Sequence, residues 1–165
     1  MTIHIGIDNG LTGGIAILHE GELTLHVMPV SGDGKKKRVD ALEFDRILQD
    51  YISHMPHFVT YEKPGGSQSA VAAASMADSF AKMDTVMAMR KYRRDPITPQ
   101  KWQKMFWSKP KMPKGVKFDT KAAALKVASQ LWPDQDWRKN DRCRVAHDGL
   151  VDAALIAEYG RRTYE

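Results

Sequence analysis

Apolar residues open the chain in two short runs separated by glycines. Ile3-His4-Ile5-Gly6-Ile7-Asp8 reads as an apolar strand that ends on a carboxylate. Asn9 to Gly14 is a tight turn and Ile15-Ala16-Ile17-Leu18 a second strand, so the pattern predicts a β-hairpin. Glu22 to Val30 alternates as a third strand after a turn at Glu20-Gly21, completing an antiparallel meander. Ser31 to Gly34 and the basic run behind it predict an exposed loop. The period then lengthens. Leu42, Phe44, Ile47, Leu48, Tyr51 and Ile52 recur at helical spacing behind Asp40, a helix cap. Phe58 to Glu62 is an apolar strand that also ends on a carboxylate. A helix precedes it, so it is expected to lie parallel to the first strand.

The second half is mainly helical. Ala70 to Met89 predicts a long helix, with Met76, Met83, Met87 and Met89 as core filler. Pro96 to Pro99 predicts a short strand and turn, and Thr98 or Pro99 opens a helix through Phe106 that buries Trp102. Asp119 or Thr120 caps a helix from Lys121 to Leu131, and Trp137 anchors the polar connector that follows. Ala146 to Gly160 predicts an amphipathic helix with Asp148 as its cap. Residues 1–165 are of a length to form one α/β domain with a real core.

Charge sharpens this picture. The chain carries a formal net charge of +5 and one cysteine, Cys143, so no internal disulfide can form. No apolar run approaches the roughly 18 residues of a membrane span, and no secretory signal opens the chain, so a cytoplasmic location is expected. Basic residues cluster at 35–38, 90–94, 101–117 and 138–144, with Trp102, Phe106, Trp107 and Phe118 interleaved. Such patches suit a polyanion, and the interleaved aromatics favour nucleic acid over a merely solvated surface.

The acids point the other way. Parallel strands expose their C-terminal ends on one edge, so Asp8 and Glu62 are expected to meet there. Asp148 and Asp152, at i and i+4, share one helix face. Asp152 precedes an Ala-Ala-Leu-Ile-Ala run and lies near the buried side, where unpaired acids are rare. No Ser-His pair, cysteine cluster or Walker-type loop competes with these four carboxylates. Hard oxygen ligands suit Mg²⁺ or Mn²⁺, and two such ions can clamp a phosphodiester. An acid cluster in a basic chain predicts phosphodiester hydrolysis in nucleic acid.

Four segments resemble the RuvC family of Holliday junction resolvases, within the ribonuclease H-like superfamily. They are Gly6-Ile7-Asp8-Asn9-Gly10-Leu11-Thr12-Gly13-Gly14, Tyr61-Glu62-Lys63-Pro64, Thr98-Pro99-Gln100-Lys101-Trp102-Gln103-Lys104 and His147-Asp148-Gly149-Leu150-Val151-Asp152-Ala153-Ala154. Pro64-Gly65-Gly66 resembles the phage branch. The resemblance implies a five-stranded mixed sheet flanked by helices, and a homodimer that makes symmetric nicks in a four-way junction. The products would carry 5′-phosphate and 3′-hydroxyl ends. It also implies two Mg²⁺ per site, replaceable by Mn²⁺, with Asp8 bridging both and Glu62 and Asp152 as further ligands. The family spaces its last pair three residues apart, which here falls on Gly149. The fourth ligand is therefore Asp148 or His147, and the shared helix face favours Asp148. Lys101, Lys104 and Lys63 become phosphate contacts, and Phe80 with Ser67 and Gln68 become junction probes.

Three other readings stay open. The opening turn also resembles that of sugar kinases and actin-like ATPases, but these need two such domains and a second glycine-rich loop. A junction-binding protein that does not cut, and a less selective nuclease for flaps or forks, both fit the same residues.

Overall fold

The computed structural model describes residues 2–66 and 69–165. Strands β1 (Ile3–Asp8), β2 (Gly14–His19) and β3 (Glu22–Val27) form the expected antiparallel meander. In the first turn the Gly13 N–H donates to the Gly10 carbonyl at 3.1 Å, and Gly10 has φ +112, which favours glycine. Glu20 and Gly21, at φ 52 and 86, make the second turn. The third strand is shorter than expected. Pro29 lacks the N–H that a ladder needs, and the chain leaves the sheet there. It forms a separate ladder, β4 (Val30–Ser31) with β5 (Arg38–Val39), around a short turn of 3₁₀ helix at Gly34–Lys36.

Helix α1 (Ala41–Ile52) starts on Asp40, whose carboxylate accepts from the Leu42 and Glu43 N–H groups. Phe44, Leu48 and Ile52 are buried, but Leu42 is 85% exposed. Two residues before Phe44, it lies about 200° around the helix and misses the core. Strand β6 (His57–Glu62) pairs parallel with β1, as expected. After α2 (Ala70–Met89), β7 (Arg94–Ile97) pairs parallel with β6. Thr98 belongs to the next helix as its cap, so β7 lies two residues earlier than the sequence predicts. The strand order is β3-β2-β1-β6-β7. Helices α3 (Pro99–Phe106), α4 (Thr120–Leu131) and α5 (Asp148–Tyr164) complete the chain.

Strand alternation splits the core into two layers. Odd-numbered residues Ile3, Ile5, Ile7, Val59 and Tyr61 meet α1 and α2 through Phe44, Leu48, Met83 and Met87. Of the four methionines expected in the core, Met83 and Met87 are buried, Met76 is half-buried and Met89 is exposed. Even-numbered Ala16 and Leu18 face the other layer, which holds α5 with Trp102, Ala124, Ala128 and Trp137.

Helix α5 is not amphipathic. Every residue from Gly149 to Gly160 is buried except Asp152, because the sheet lies on one side and α3 and α4 on others. It approaches the sheet backbone to backbone. A Cβ on Gly6 would strike the Ala153 carbonyl oxygen and the Ala157 amide nitrogen, and one on Gly160 would strike Thr60. The helix also continues past Gly160. The buried carboxylate of Glu158 accepts from Arg161 and Arg162, one turn on, at 2.7–2.8 Å. No helix among the described residues is long and apolar enough to cross a membrane.

Candidate active site

The register Ile7↔Tyr61 puts Asp8 beside Glu62 at the C-terminal ends of two parallel strands. Both have even-numbered parity, so both face α5. The first turn of α5 comes to the same edge because glycines let it. A side chain at Gly149 would run into Thr12 and come within 2.8 Å of the Gly13 Cα. One at Gly14 would come within 2.6 Å of the Gly149 carbonyl oxygen. The glycines of the opening turn therefore seat the helix. They also account for the missing acid: no ligand can stand at position 149.

Asp8, Glu62 and Asp152 share one electrostatic field. Burial raises the Asp8 carboxyl well above its usual range, and the charges of Glu62, Asp152 and Asp148 push it further. Burial also raises Glu62, opposed by the Trp102 indole, whose N–H donates to Glu62 Oε2 at 2.8 Å. Asp152 is pushed up to about 7 by burial and by Glu62 and Asp148, with Lys121 opposing. Three half-buried acids whose charges act on one another are poor neighbours without a cation.

Asp148 is set apart. It is exposed, and Lys121 of α4 donates a short hydrogen bond to its Oδ2. The helix cap is His147, not Asp148 as the sequence predicts: its Nδ1 accepts from the Leu150 N–H at 3.3 Å. The bulkier imidazole reaches that amide, which leaves Asp148 as the first helical residue, where the helix dipole favours an acid.

The oxygen-rich donor set suits a hard divalent ion. Among the described residues, no group of three or more His, Cys, Asp or Glu side chains is arranged to hold an ion as it stands. Glu62 is turned to Trp102 and Asp148 to Lys121, so two of the four acids would have to reorient around a metal.

Lys63 is exposed immediately after Glu62. Lys101 forms an ion pair with Asp95 at 3.6 Å. Lys104 is exposed and has no ion pair among the described residues. Phe80 is half-buried, stacked on Tyr61 with ring centroids 5.4 Å apart. Ser67 and Gln68 lie outside the described residues. Trp102 and Lys121 were not visible as site residues in the sequence. Trp102 reads as core, and at 1% exposure it is core, while its single polar atom serves the site. Lys121 reads as one solvated lysine among many.

Solved structures share this architecture. Thermus thermophilus RuvC in complex with Holliday junction substrate matches with a TM-score of 0.64 and 15% identity, over 99% of this chain and 97% of that one. A second Thermus thermophilus RuvC structure gives a TM-score of 0.58 and 12% identity, over 97% and 95%. The fold is RuvC-like. Its five-stranded mixed sheet, three antiparallel strands and then parallel ones, is that of the ribonuclease H-like class. No protein-family model matches the sequence, and no curated protein matches it.

The cluster has a measurable signature. The unfolded Asp152 carboxyl titrates near 3.8, and the folded one near 7. A group raised on folding contributes stability that is complete below the lower value and lost as pH rises through the upper one. Asp8 and Glu62 shift in the same direction. Metal-free protein is therefore expected to melt at a higher temperature near about pH 5 than near about pH 8. Added Mg²⁺ should restore the melting temperature at the higher pH. Scanning calorimetry with and without EDTA checks this, and a flat profile would remove the repulsion.

Proposed function

We propose that the protein is a metal-dependent endonuclease that cuts four-way DNA junctions. One observation carries this: three half-buried carboxylates from β1, β6 and α5, coupled by their charges, lie at one sheet edge of a basic, RuvC-like chain. A divalent pair, Mg²⁺ or Mn²⁺, would supply charge neutralisation, an activated water and a stabilised leaving oxygen. Asp8, on which the charges of the other three acids all act, would be the shared ligand. Trp102 holds Oε2 of Glu62, and the carboxylate would turn its other oxygen to a metal while keeping that bond. Asp152 presents its carboxylate from a helix whose backbone is locked to the sheet. Asp148 is the fourth ligand in preference to His147, whose Nδ1 is already used as a cap. Lys121 donates to Asp148 and would pass to a phosphate oxygen when DNA arrives. Lys63, Lys101 and Lys104 supply backbone contacts.

Paired nicks need two sites, and a homodimer supplies them. Helix α2 leaves Val71, Ala73, Ala77, Ala81 and Met89 exposed, apolar side chains that helix pairing could cover. Pro64-Gly65-Gly66 after Glu62 favours the phage branch, and DNA as substrate favours a cytoplasmic setting.

Incubation of a strand-labelled four-way junction with protein and Mg²⁺ tests the reading. Symmetric nicks with 5′-phosphate ends support it. Binding without cutting would replace it with a junction-binding protein, and equal cutting of flaps and forks with a less selective nuclease. Saturable ATP binding without junction binding would sink all three.

Trp102→Phe gives a finer check. It keeps an aromatic side chain of smaller volume but removes the N–H, so Glu62 loses its anchor. The Mg²⁺ concentration for half-maximal cleavage is expected to rise about tenfold, as for other groups that orient a metal ligand. Calorimetric Mg²⁺ affinity should fall in parallel. Unchanged values would show that the hydrogen bond does not orient the carboxylate.

A further inference from the structure

The end of helix α3 carries a second feature. Gln100, Gln103 and Lys104 of the helix, the extended cap residue Trp107, and Ser108 and Lys109 beyond it line a cavity of about 320 Å³. Its polar groups are unused. The indole Nε1 of Trp107 is buried with no hydrogen-bond partner among the described residues. The amides of Gln100 and Gln103 make no hydrogen bond there, and Lys104 and Lys109 make no ion pair. The cavity lies one indole away from the acids. Trp107 stands edge-on to Trp102, with centroids 5.6 Å apart, and Trp102 donates to Glu62.

We propose that this cavity holds one unpaired base of the DNA strand, near the phosphate to be cut. A flat indole and two amides that can both donate and accept match the face and edge of a nucleobase. Lys104 and Lys109 flank it, and exposed Lys111, Lys114 and Lys117 continue a basic path along the adjoining loop. That charge suits a strand with several phosphates rather than an isolated apolar molecule. The assignment rests on the nucleic-acid reading above and adds to it a place where sequence is read.

Oligonucleotides carrying 2-aminopurine test it, in EDTA so that nothing is cut. Single strands and four-way junctions are both used, with the probe moved base by base. Wild-type protein is expected to quench the probe at one position, with binding that depends on the base there. The Gln100→Ala, Gln103→Ala double variant changes surface amides only. It should lose that base dependence and about tenfold in affinity for the preferred base. Trp107→Ala removes the flat face and should weaken the quenching at that position, and unchanged quenching would overturn the stacking. If the double variant shows wild-type quenching and preference while Mg²⁺ still supports junction cleavage, the pocket is overturned and the nuclease stands. Base-dependent quenching in a protein that never cuts junctions supports the pocket and overturns the nuclease. Competition by free deoxynucleoside monophosphates as strong as by oligonucleotides would make it a mononucleotide site and overturn the assignment to DNA.

Discussion

Replacing Asp8 by Asn is expected to lower junction cleavage by at least about a thousandfold, or about 4 kcal/mol of transition-state stabilisation. Asp8 is the most deeply enclosed of the acids, and the charges of the other three all act on it. Asparagine keeps the shape but cannot share charge between two cations. Junction affinity should hold or improve, because a negative charge facing a polyanion is removed. The same change should raise the melting temperature of the metal-free protein, by roughly 2–4 °C for each kcal/mol of repulsion relieved. Gel shifts, cleavage rates and calorimetry on one preparation would read all three. Substantial activity in Asp8→Asn would remove Asp8 from the metal site. Loss of activity with a lowered melting temperature would make Asp8 a structural residue.

The second large effect is on the fold. Gly6→Ala is expected to lose at least about 3 kcal/mol of stability, far beyond an ordinary surface change. The new methyl would meet the Ala153 carbonyl oxygen and the Ala157 amide nitrogen, and come within 2.8 Å of the Ala157 Cα. All three are backbone atoms in the middle of a helix, so no rotamer change can relieve the contact. Helix α5 would have to lift from β1 and carry Asp152 away from Asp8. Gly65→Ala is the control, since a Cβ there meets nothing within 4 Å. Urea denaturation of the two variants gives the comparison. Equal midpoints would show that the helix can ride up at little cost.

Much of the architecture was legible because it follows short rules. Alternating isoleucines with paired turn glycines, and an apolar run after a helix, sufficed for the meander and the parallel strand beside it. Two strands ending on Asp8 and Glu62 sufficed to bring those acids together. What could not be read depends on contacts far apart in sequence. The burial of α5 on all sides arises because α3 and α4 cover what would otherwise be its solvent face, and no local period encodes that. The absence of an acid at position 149 looked like a departure from the family's spacing. It is a packing requirement set by Thr12 and Gly13. Trp102 showed its size in the sequence but not the direction of its one N–H. His147 took the cap from Asp148 because a ring nitrogen reached an amide that helix-start preferences assign to shorter side chains.

The place of α5 has a further consequence, for the order in which the fold can be made. Its main partners are β1 and β2, near the start of the chain, while α5 itself follows every other strand and helix. Contacts of such long sequence separation form late and slowly. During synthesis the meander would wait with one face bare, and Asp8 and Glu62 would stand on an incomplete edge. Asp152 arrives only with the helix that closes that face. A partly made chain thus holds two of the acids and a basic surface but not the complete cluster, so a nuclease of the kind proposed would be inactive until the fold is finished.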